Sequence, residues 1–428
     1  MATVSRSTTI NRRNFLRAAA AGGAAVALGG VNSFAIAAPK PIKIGFVVPQ
    51  TGPLALFSEH VPFVLKQIEK HFGGQLAIGG TKVPFEILVR DSQSKASRAS
   101  EVAGELILKD QVSVIMATST PETTNPVADQ AEVNGVPCIT TDTPWEPHFF
   151  ARGGDPKTGF EWTNHFFFGV NQVANTYIGI WDRFDTNKKV GVLWPNDGDG
   201  NAVAGIFPKV YGAKGYQIVD PGRFDMPVGS FASQISQFKA NDVQVINGLL
   251  PPPEFATFWA EAAQQNFKPK VVSVGKATEF PPAIEPLGDR ALGLSVPVFW
   301  SPEFPFQSGL TGQSARELAA EYEQESGRQW SMTLGFKHAI FEVLFNVLSK
   351  VPDPYSTESL RDTIRQTKYQ SVAGLVDFQR PGLPPGISTT PLAGGQWQKG
   401  KSHPFDLVLI DNADEPAIKP SAAPIALG

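Results

Sequence analysis

The sequence contains very little cysteine, since Cys138 is the only one among 428 residues. No internal disulfide can therefore form, although an exported chain meets an oxidising compartment. Cys138 lies in the apolar run Val136–Ile139. We expect it to serve as a small buried side chain.

A strongly apolar stretch of membrane-spanning length is also missing after the first 37 residues. The long uncharged segment Thr163–Trp181 is interrupted by Asn164, His165, Asn171 and further amide side chains. Such a segment is too polar to cross a bilayer, so we expect the exported chain to be soluble.

Several motifs of catalysis and cofactor binding are absent. The first predicted strand is not followed by G-x-G-x-x-G, the chain has no P-loop and no G-x-S-x-G turn, and its six histidines show no H-x-x-x-H spacing. The run Asn196–Val203 resembles a calcium loop, but Ala202 stands where that loop needs glycine and Pro208 where it needs glutamate. We therefore predict no catalytic residue, no metal and no cofactor, while a serine–histidine pair assembled from distant positions stays open.

Basic residues are too few to favour a nucleic acid or an anionic membrane surface as partner. The first 37 residues contain four arginines and no acidic residue, which leaves 33 basic (37 less 4) against 40 acidic residues, a net charge of −7. A negative chain repels such polyanionic partners.

The first 37 residues have the composition of an export signal. The motif RRNFL at 12–16 precedes an Ala/Gly-rich stretch at 18–31, and AIA at 35–37 suits signal cleavage. Paired arginines in this setting predict a twin-arginine (Tat) signal and a periplasmic protein. A Sec signal and a retained anchor are the alternatives, but the stretch is too rich in glycine for a good membrane span.

The remaining chain is longer than one hydrophobic core usually supports, so we expect two domains. Short apolar runs alternate with helix-length amphipathic segments, which predicts parallel sheets with helices on both faces. The predicted strands are Ile42–Val48, Phe85–Val89, Val112–Met116, Pro137–Thr140, Val190–Trp194, Val243–Asn247, Lys270–Val274 and Asp406–Ile410. The predicted helices are Phe57–His71, Ser97–Lys109, Thr124–Val133, Val173–Phe184, Ala202–Tyr211, Phe231–Ala240, Phe255–Gln265, Ala315–Glu325, Leu334–Leu348 and Thr357–Gln366. Two segments interrupt this order: the aromatic, loop-like segment 145–168, and the segment 295–310, in which Pro297, Pro302 and Pro305 surround Trp300.

Polar side chains collect where the predicted strands end. In open parallel sheets a ligand lies beyond these carboxyl ends. The first strand stops at the turn PQTGP, and Phe57 follows one helical turn later. The other candidate ligand-binding residues at strand ends are Thr118, Ser119, Thr120, Thr141, Asp142, Thr143, Trp145, Asn196, Asp199 and Lys276. Hydroxyls beside a helix start suit a carboxylate, although each one alone also fits simple helix capping.

Four segments carry a family resemblance. They are the opening IKIGFVVPQTGPLALF, Asp91-Ser92-Gln93, TNPVADQAEVNGVPCITT and GSFASQISQFKANDVQVI. In order and spacing the chain resembles the periplasmic leucine/isoleucine/valine-binding protein family over nearly all of its exported length. The resemblance implies two doubly wound α/β lobes with parallel sheets, joined by a three-segment hinge and closing on a ligand, the type I periplasmic binding protein fold. It places the first lobe at 38–167 plus 301–370 and the second at 168–300 plus 371–428, with Trp300 on the second crossing and Gly374 near the third.

The resemblance also implies how the first lobe binds. The loops Ser119–Pro121 and Thr141–Thr143 match the positions that hold a ligand carboxylate in the family, and Phe57 matches an aromatic wall. The disulfide of the family is absent.

In the second lobe the chain departs from the family. Lys276 stands where the family places an acid for the ligand's amine, and Glu279 would serve only after a shift of loop register. Gly198 or Asp199 replaces a tyrosine. An unpaired buried ammonium is costly, so we expect α-amino acids to bind poorly and Lys276 to favour a second anionic or carbonyl group.

We therefore expect a small carboxylate- or amide-containing solute, either branched-chain and amino-acid-like or an aromatic acid, held against the flat surfaces of Phe57 and Trp145. The alternatives are a solvated loop position for Lys276 and packing of Trp145 inside 145–168.

The predicted function is that of the solute-binding component of an ABC importer. Such a protein is a non-enzymatic receptor with a small-molecule ligand and a membrane permease as its partners. A receptor that presents the ligand to a signalling partner is the main alternative. A secreted enzyme is the third, and the strand ends supply no nucleophile or acid–base pair for it.

Overall fold

The structure is a computed structural model that describes residues 39–412 and 415–428, so the predicted signal at 1–37 lies outside the described residues. The strands, in chain order, are β1 (Ile42–Val48), β2 (Gln75–Ile78), β3 (Thr81–Asp91), β4 (Val114–Thr118), β5 (Cys138–Thr141), β6 (Thr163–Phe166), β7 (Lys189–Leu193), β8 (Gln217–Val219), β9 (Val245–Leu250), β10 (Val271–Lys276), β11 (Ser295–Val298), β12 (Lys368–Ser371), β13 (Gly374–Asp377), β14 (Ile387–Ser388), β15 (Ala393–Lys399) and β16 (Phe405–Asp411). The helices are Val61–Phe72, Ala96–Gly104, Pro121–Asn134, Trp145–Phe149, Val170–Trp181, Gly198–Ala213, Ala232–Ala240, Pro252–Gln264, Pro281–Ile284, Ala315–Ser326, Thr333–Lys350 and Thr357–Arg365, and shorter or irregular turns occupy Ala55–Ser58, Glu105–Lys109, Ala277–Glu279 and Glu285–Ala291.

Two seven-stranded sheets organise these elements. The first has the order β14-β6-β5-β4-β1-β3-β2 and the second the order β16-β15-β11-β10-β9-β7-β8. Strand pairing is parallel through the middle of each sheet and antiparallel at β2 and at the β15–β16 edge. We refer to the parts built on the two sheets as the first lobe and the second lobe. In each sheet the strand order reverses next to the first strand, β1 or β7, which is where open sheets bind ligands.

The burial of β1 explains why the sheet is covered on both faces. Phe46 packs edge-to-face on Phe341 of the helix Thr333–Lys350, with the ring centroids 5.2 Å apart. The next residue, Val47, belongs to a separate cluster with Val127 of the helix Pro121–Asn134. Because successive side chains of a strand point to opposite faces, a run that is apolar at every position needs a layer of helices on each side.

The chain passes between the lobes three times. The passages lie between β6 and Val170–Trp181, after β11, and between β14 and β15. Trp300 follows β11 and is fully buried, with its indole N–H donating to the carbonyl of Val372 at 3.1 Å. The lobe boundaries predicted from the sequence remain a prediction. Because β14 pairs with β6 in the first sheet, the third passage lies at 389–392. This position is later in the chain than the predicted boundary at 370/371.

Both segments that interrupt the predicted order contain regular structure. The segment 145–168 includes a short helix and β6, and 295–310 begins with β11. The polar residues of β6 gave no sign of a buried strand, but side chains elsewhere in the protein contact them. The side chain of His165 lies 2.9 Å from the hydroxyl of Thr140, and Asn164 accepts a hydrogen bond of 2.8 Å from Arg365. Within the described ranges, no helix has both the length and the apolar character required to cross a membrane.

Candidate ligand-binding site

A cavity of about 60 Å³ lies between the two lobes, beyond the carboxyl ends of their strands. Both lobes and two of the crossing segments contribute to its wall. The residues that line it are Phe57, Thr120, Asp142, Pro144, Phe167, Phe168, Val170, Val173, Tyr177, Asp199, Val203, Leu249, Gly275, Lys276, Glu279, Pro297 and Phe299. The lining is mostly apolar and carries a few convergent polar groups, the usual composition of a small-molecule site.

The turn that follows β1 is fixed by a neighbouring strand end. One carboxylate oxygen of Asp91 accepts hydrogen bonds from the backbone N–H groups of Gln50, Thr51 and Gln93, and the other accepts from the Thr51 hydroxyl. Partial burial alone would raise the pKa of Asp91, but these four hydrogen bonds hold it below the ordinary value. The fixed turn places Phe57, which is nearly buried, on the cavity wall.

The wall of the first lobe is built on a buried ion pair. The ammonium of Lys337, from the helix Thr333–Lys350, contacts the carboxylate of Asp142, and both side chains are fully excluded from solvent. The hydroxyl of Thr118 lies 2.9 Å from the same ammonium and donates to the same carboxylate oxygen. Burial lowers the pKa of Lys337, while Asp142 and Glu279 act against that change. Thr118 therefore stabilises the ion pair but does not line the cavity.

The hydroxyls predicted to hold a carboxylate divide into two groups. Those of Thr141 and Thr143 donate to the backbone carbonyls of Phe166 and Ser119, at 2.6 and 3.2 Å. The hydroxyls of Ser119 and Thr120 are buried and have no hydrogen-bond partner among the described residues. Of these four, only Thr120 lines the cavity, and Thr141 and Thr143 are better explained as structural supports.

The wall of the second lobe is built on another buried ion cluster. The ammonium of Lys276 lies 3.1 Å from a carboxylate oxygen of Asp197 and 3.0 Å from one of Asp199. Burial alone would lower the pKa of Lys276, but Asp199, Asp197 and Glu122 raise it well above the ordinary value. Lys276 is therefore not a solvated loop lysine, and its charge is already paired inside the protein, while its expected preference for an anionic or carbonyl group of the ligand stays a prediction.

Burial also changes the pKa of both acids on this wall. The pKa of Asp199 is raised to about 7 by burial and by the nearby Glu122 and Asp197, and the attraction of Lys276 only partly offsets these effects. Burial raises the pKa of Glu279 to about 7 as well, against a hydrogen bond from the backbone N–H of Lys276 to its side chain at 2.8 Å.

Glu279 reaches the cavity without the shift of register that the sequence suggested. Lys276 ends β10 with φ of 66°, a conformation that a residue with a side chain rarely adopts. The short turn Ala277–Glu279 then brings Glu279 back over the end of its own strand. Asp142 has φ of 62° just after β5, the corresponding strand of the first lobe. Strained residues at equivalent strand ends of both lobes fit a functional site.

Two contacts join the lobes beside the cavity. The ring of Phe57 packs edge-to-face on that of Phe280, with centroids 4.9 Å apart. A carboxylate oxygen of Glu122, in the first lobe, accepts a hydrogen bond of 3.0 Å from the backbone N–H of Gly198. Gly198 is the first residue of a helix in the second lobe, where a negative charge is favourable. The two lobes are therefore in direct contact beside the cavity.

Two further predicted site residues lie away from the cavity. Trp145 packs against Phe149 and Phe150, and a Cβ added at Gly169 would lie 2.6 Å from its indole nitrogen. Trp145 therefore supports the first crossing segment. Asn196 is exposed, and its side chain donates to Asp225 at 2.9 Å.

The sequence analysis missed most of the apolar wall. Phe167 and Phe168 come from the loop-like segment 145–168, Phe299 follows β11, and Tyr177 comes from a helix of the second lobe. The adjacent aromatic letters at 166–168 were the available signal. Lys337 was missed too, although a lysine inside the apolar helix Thr333–Lys350 has to pair with an acid.

The alternative of a secreted enzyme finds no support in the geometry. Ser308 and Glu342 both lie beside His338, but both contact the same ring nitrogen, Nε2, at 2.9 and 3.1 Å. The other nitrogen has no partner, whereas a catalytic triad needs the acid there. All three residues are buried. Among the described residues, no group of three histidine, cysteine, aspartate or glutamate side chains is arranged to hold a metal ion.

Similarity to solved structures covers most of the chain. A leucine-binding protein from Thermotoga maritima MSB8 matches with a TM-score of 0.71 and 18% identity, covering 87% of this chain and 99% of that one. A solute-binding protein of an ABC transporter from Rhodopseudomonas palustris BisB5, in complex with 3,4-dihydroxybenzoic acid, matches with 0.70 and 20%, covering 88% and 99%. A branched-chain amino acid substrate-binding protein from Streptococcus pneumoniae, in complex with isoleucine, matches with 0.70 and 16%, covering 86% and 100%. At this identity the likeness establishes the fold, which confirms the predicted two-lobed α/β architecture.

Sequence families identify both the export signal and the main chain. Residues 9–29 match the twin-arginine translocation signal, which confirms the predicted Tat route to the periplasm. A search of curated protein sequences finds no match. Residues 41–401 match the periplasmic binding protein family, a family of solute-binding proteins, and the chain is a member of it.

Proposed function

We propose that this protein is the solute-binding component of an ABC importer and encloses one small molecule in the cavity between its lobes. The solute has a compact apolar body and a polar head of the carboxylate or amide kind, as in amino-acid-like or aromatic acids. One observation carries the proposal: the cavity takes its wall from both lobes, at the point in each sheet where the strand order reverses.

Contacts between the lobes beside the cavity support a receptor that opens and closes. Phe57 contacts Phe280 and Glu122 contacts Gly198 across the cleft, so both contacts must break when the lobes separate. Three crossing segments supply the hinge for such a motion. A ligand that touches both lobes stabilises the closed form, because it binds that form better than the open one.

The size of the cavity limits the solute. The space of about 60 Å³ holds a few waters, whereas an apolar cavity of about 150 Å³ admits benzene. A branched aliphatic or single-ring body therefore needs more space than this cavity offers, so the lobes must open further around it. The similar structures have been solved with isoleucine and with 3,4-dihydroxybenzoic acid. Those ligands set the size range to be tested and do not settle this chain's own ligand.

Calorimetric titration of the purified protein tests ligand capture. We expect one site per chain for at least one branched-chain or single-ring solute. The same ligand should raise the melting temperature, because binding at a hundred times Kd adds roughly 2.7 kcal/mol of stability. Val203→Trp, which fills the cavity, should abolish binding, whereas Val133→Trp on the exposed surface should not.

Uptake of the radiolabelled ligand by cells with and without the gene tests the importer role. We expect uptake to be lost with the gene and restored by the unaltered chain but not by Val203→Trp. Unchanged uptake together with an altered signalling response would instead favour a sensory receptor.

A further inference from the structure

Three of the six polar side chains that line the cavity are acids, and the other three are Thr120, Tyr177 and Lys276. Asp142 lies on the first lobe, and Asp199 and Glu279 lie on the second. Among the described residues that line the cavity, Lys276 carries the only ammonium. The exposed fractions of Asp142 and Asp199 are 5% and 6%, so bulk water satisfies neither carboxylate.

The two nearby ammonium groups are already engaged by the protein. Lys276 lies 3.0 Å from Asp199 and 3.1 Å from Asp197. Lys337 is fully buried behind Asp142, contacts that carboxylate and the hydroxyl of Thr118, and does not line the cavity. Neither ammonium is therefore positioned as the main counter-ion of an incoming carboxylate.

Buried acceptors remain unsatisfied on both sides of the cavity. Oδ1 of Asp142, on the first lobe, and Oδ1 of Asp199, on the second, have no hydrogen-bond partner among the described residues. Each belongs to a carboxylate whose other oxygen is held by a lysine. A buried acceptor without a donor is costly, so the missing donors should come from the ligand.

We propose that the head of the ligand is a nitrogen donor, foremost a primary ammonium, which lies between the unsatisfied oxygens of Asp142 and Asp199 and faces Glu279. This inference rests on the proposed function, the capture of a small solute between the lobes, and replaces the carboxylate in its ligand class by a nitrogen donor. A ligand carboxylate at this place would add a further negative group beside three acids, whereas an ammonium offers several N–H donors and the opposite charge. The sequence suggested that this wall of the first lobe holds the carboxylate of the ligand. The structure instead places a carboxylate of the protein itself on this wall.

The phenylalanine side chains of the wall suit the rest of such a ligand. Phe57, Phe167, Phe168 and Phe299 line the cavity and carry no polar atoms. A compact apolar body would be buried against these rings, whose faces also attract a cation.

Two matched series of ligands test the proposal by titration calorimetry. One has a branched aliphatic body, as 3-methylbutylamine, 4-methylpentanamide and 4-methylpentanoate, and the other has a ring, as benzylamine, benzamide and benzoate. We expect the amine of the better-fitting body to bind about tenfold more tightly than its acid, with the amide between them, since a charge-assisted hydrogen bond contributes this much. An acid that binds as tightly as its amine would overturn the proposal.

The pH dependence of affinity gives a second readout. Asp199 faces Lys276, Asp197 and Glu122, while Glu279 faces Lys276, Asp142, Lys337 and Tyr177. The pKa of Asp199 and that of Glu279 lie at about 7, so both acids gain charge as the pH rises through neutrality. Amine binding should strengthen from about pH 6 to about pH 8 and release protons, while acid binding should weaken. The opposite trend would contradict an ammonium-binding head site.

Two variants separate recognition from folding. Glu279→Gln keeps the shape of the side chain and should weaken the amine more than the amide, whereas Glu325→Gln on the surface should change neither. The double variant Asp142→Asn with Lys337→Met removes both partners of the ion pair and should abolish the preference for the amine. If the preference persists in both variants, the proposal is wrong.

The molecule that co-purifies with the protein decides the case if neither series binds. A bound compound with an amine or amide head supports the inference, and a nitrogen-free carboxylic acid overturns it while leaving solute capture intact. Failure of every small molecule to bind would refute the proposed function itself, so the two failures are distinguishable.

Discussion

The buried ion pair between Lys337 and Asp142 makes a strong prediction about stability. Replacing Lys337 by methionine keeps most of the side-chain volume but leaves Asp142 buried without its counter-ion. Both side chains have no exposed surface, and Oδ1 of Asp142 already lacks a partner. The remaining donor to this carboxylate is the Thr118 hydroxyl. We expect Lys337→Met to destabilise the folded chain strongly.

The expected loss follows from the burial of the pair. Breaking a buried pair by removing one partner typically costs about 3–5 kcal/mol, because the other charge stays buried and uncompensated. The double variant Asp142→Asn with Lys337→Met removes both charges and should recover most of that loss. The exposed pair of Lys66 with Glu325, in which Lys66 is 68% exposed, is the matched control. Lys66→Met should cost less than about 1 kcal/mol.

Urea unfolding followed by tryptophan fluorescence measures all four free energies of unfolding. A loss for Lys337→Met that equals the loss for Lys66→Met would refute the account of the first-lobe wall. A double variant that is as unstable as the single one would show that Lys337 contributes by packing and that its charge pairing is unimportant.

Three further predictions concern closure, packing and pH. Glu122→Gln should lower ligand affinity about two- to fivefold by calorimetry, because it removes the charge that Glu122 places at the N-terminus of the helix Gly198–Ala213 across the cleft. An unchanged affinity would contradict a role of Glu122 in closure. Gly335→Ala should destabilise the fold by about 1–3 kcal/mol in urea unfolding, because a Cβ there would lie 2.2 Å from Trp300, whereas Gly205→Ala in open space should be neutral or stabilising. The pKa of Glu279 rises from 4.5 to about 7 on folding. Between these two pH values the native chain therefore holds a proton on Glu279 that the unfolded chain has lost. The stability that this proton contributes is present below about pH 4.5 and is lost as the pH rises to about 7. Wild type should therefore lose up to about 3 kcal/mol relative to Glu279→Gln between about pH 5 and about pH 8 in urea unfolding, and parallel pH curves would rule out the raised pKa.

Much of the fold could be predicted because burial constrains the apolar strands. β1 begins and ends at the predicted residues, Ile42 and Val48, because nearly every position in it is buried. β6 was missed, because a four-residue strand with polar residues such as Thr163-Asn164-His165 looks like a loop until its partners are known, and β11 was missed because Pro297 interrupts its short apolar run. The identification of β6 requires the hydrogen bonds of Thr140 and Arg365, which come from elsewhere in the chain.

The candidate site could be predicted only in outline. Strand ends pointed to Asp142, Asp199 and Lys276, and all three line the cavity, although ligand binding by them stays a prediction. The sequence does not show which charged side chains pair with each other. Lys337 lies 195 positions from Asp142, and Glu279 reaches the cavity through the left-handed turn at Lys276. Charge pairing across such distances depends on tertiary structure, which is why the sequence did not reveal the acids that pair with Lys276.

Native mass spectrometry of the chain purified from its own periplasm tests most directly whether the interlobe cavity captures a small solute. We expect one small molecule per chain, released on denaturation and bearing an amine or amide head on an apolar body. It should be absent from Val203→Trp and retained by Val133→Trp. A molecule that stays bound to Val203→Trp would contradict the account, because the binding site would then lie outside the cavity between the lobes.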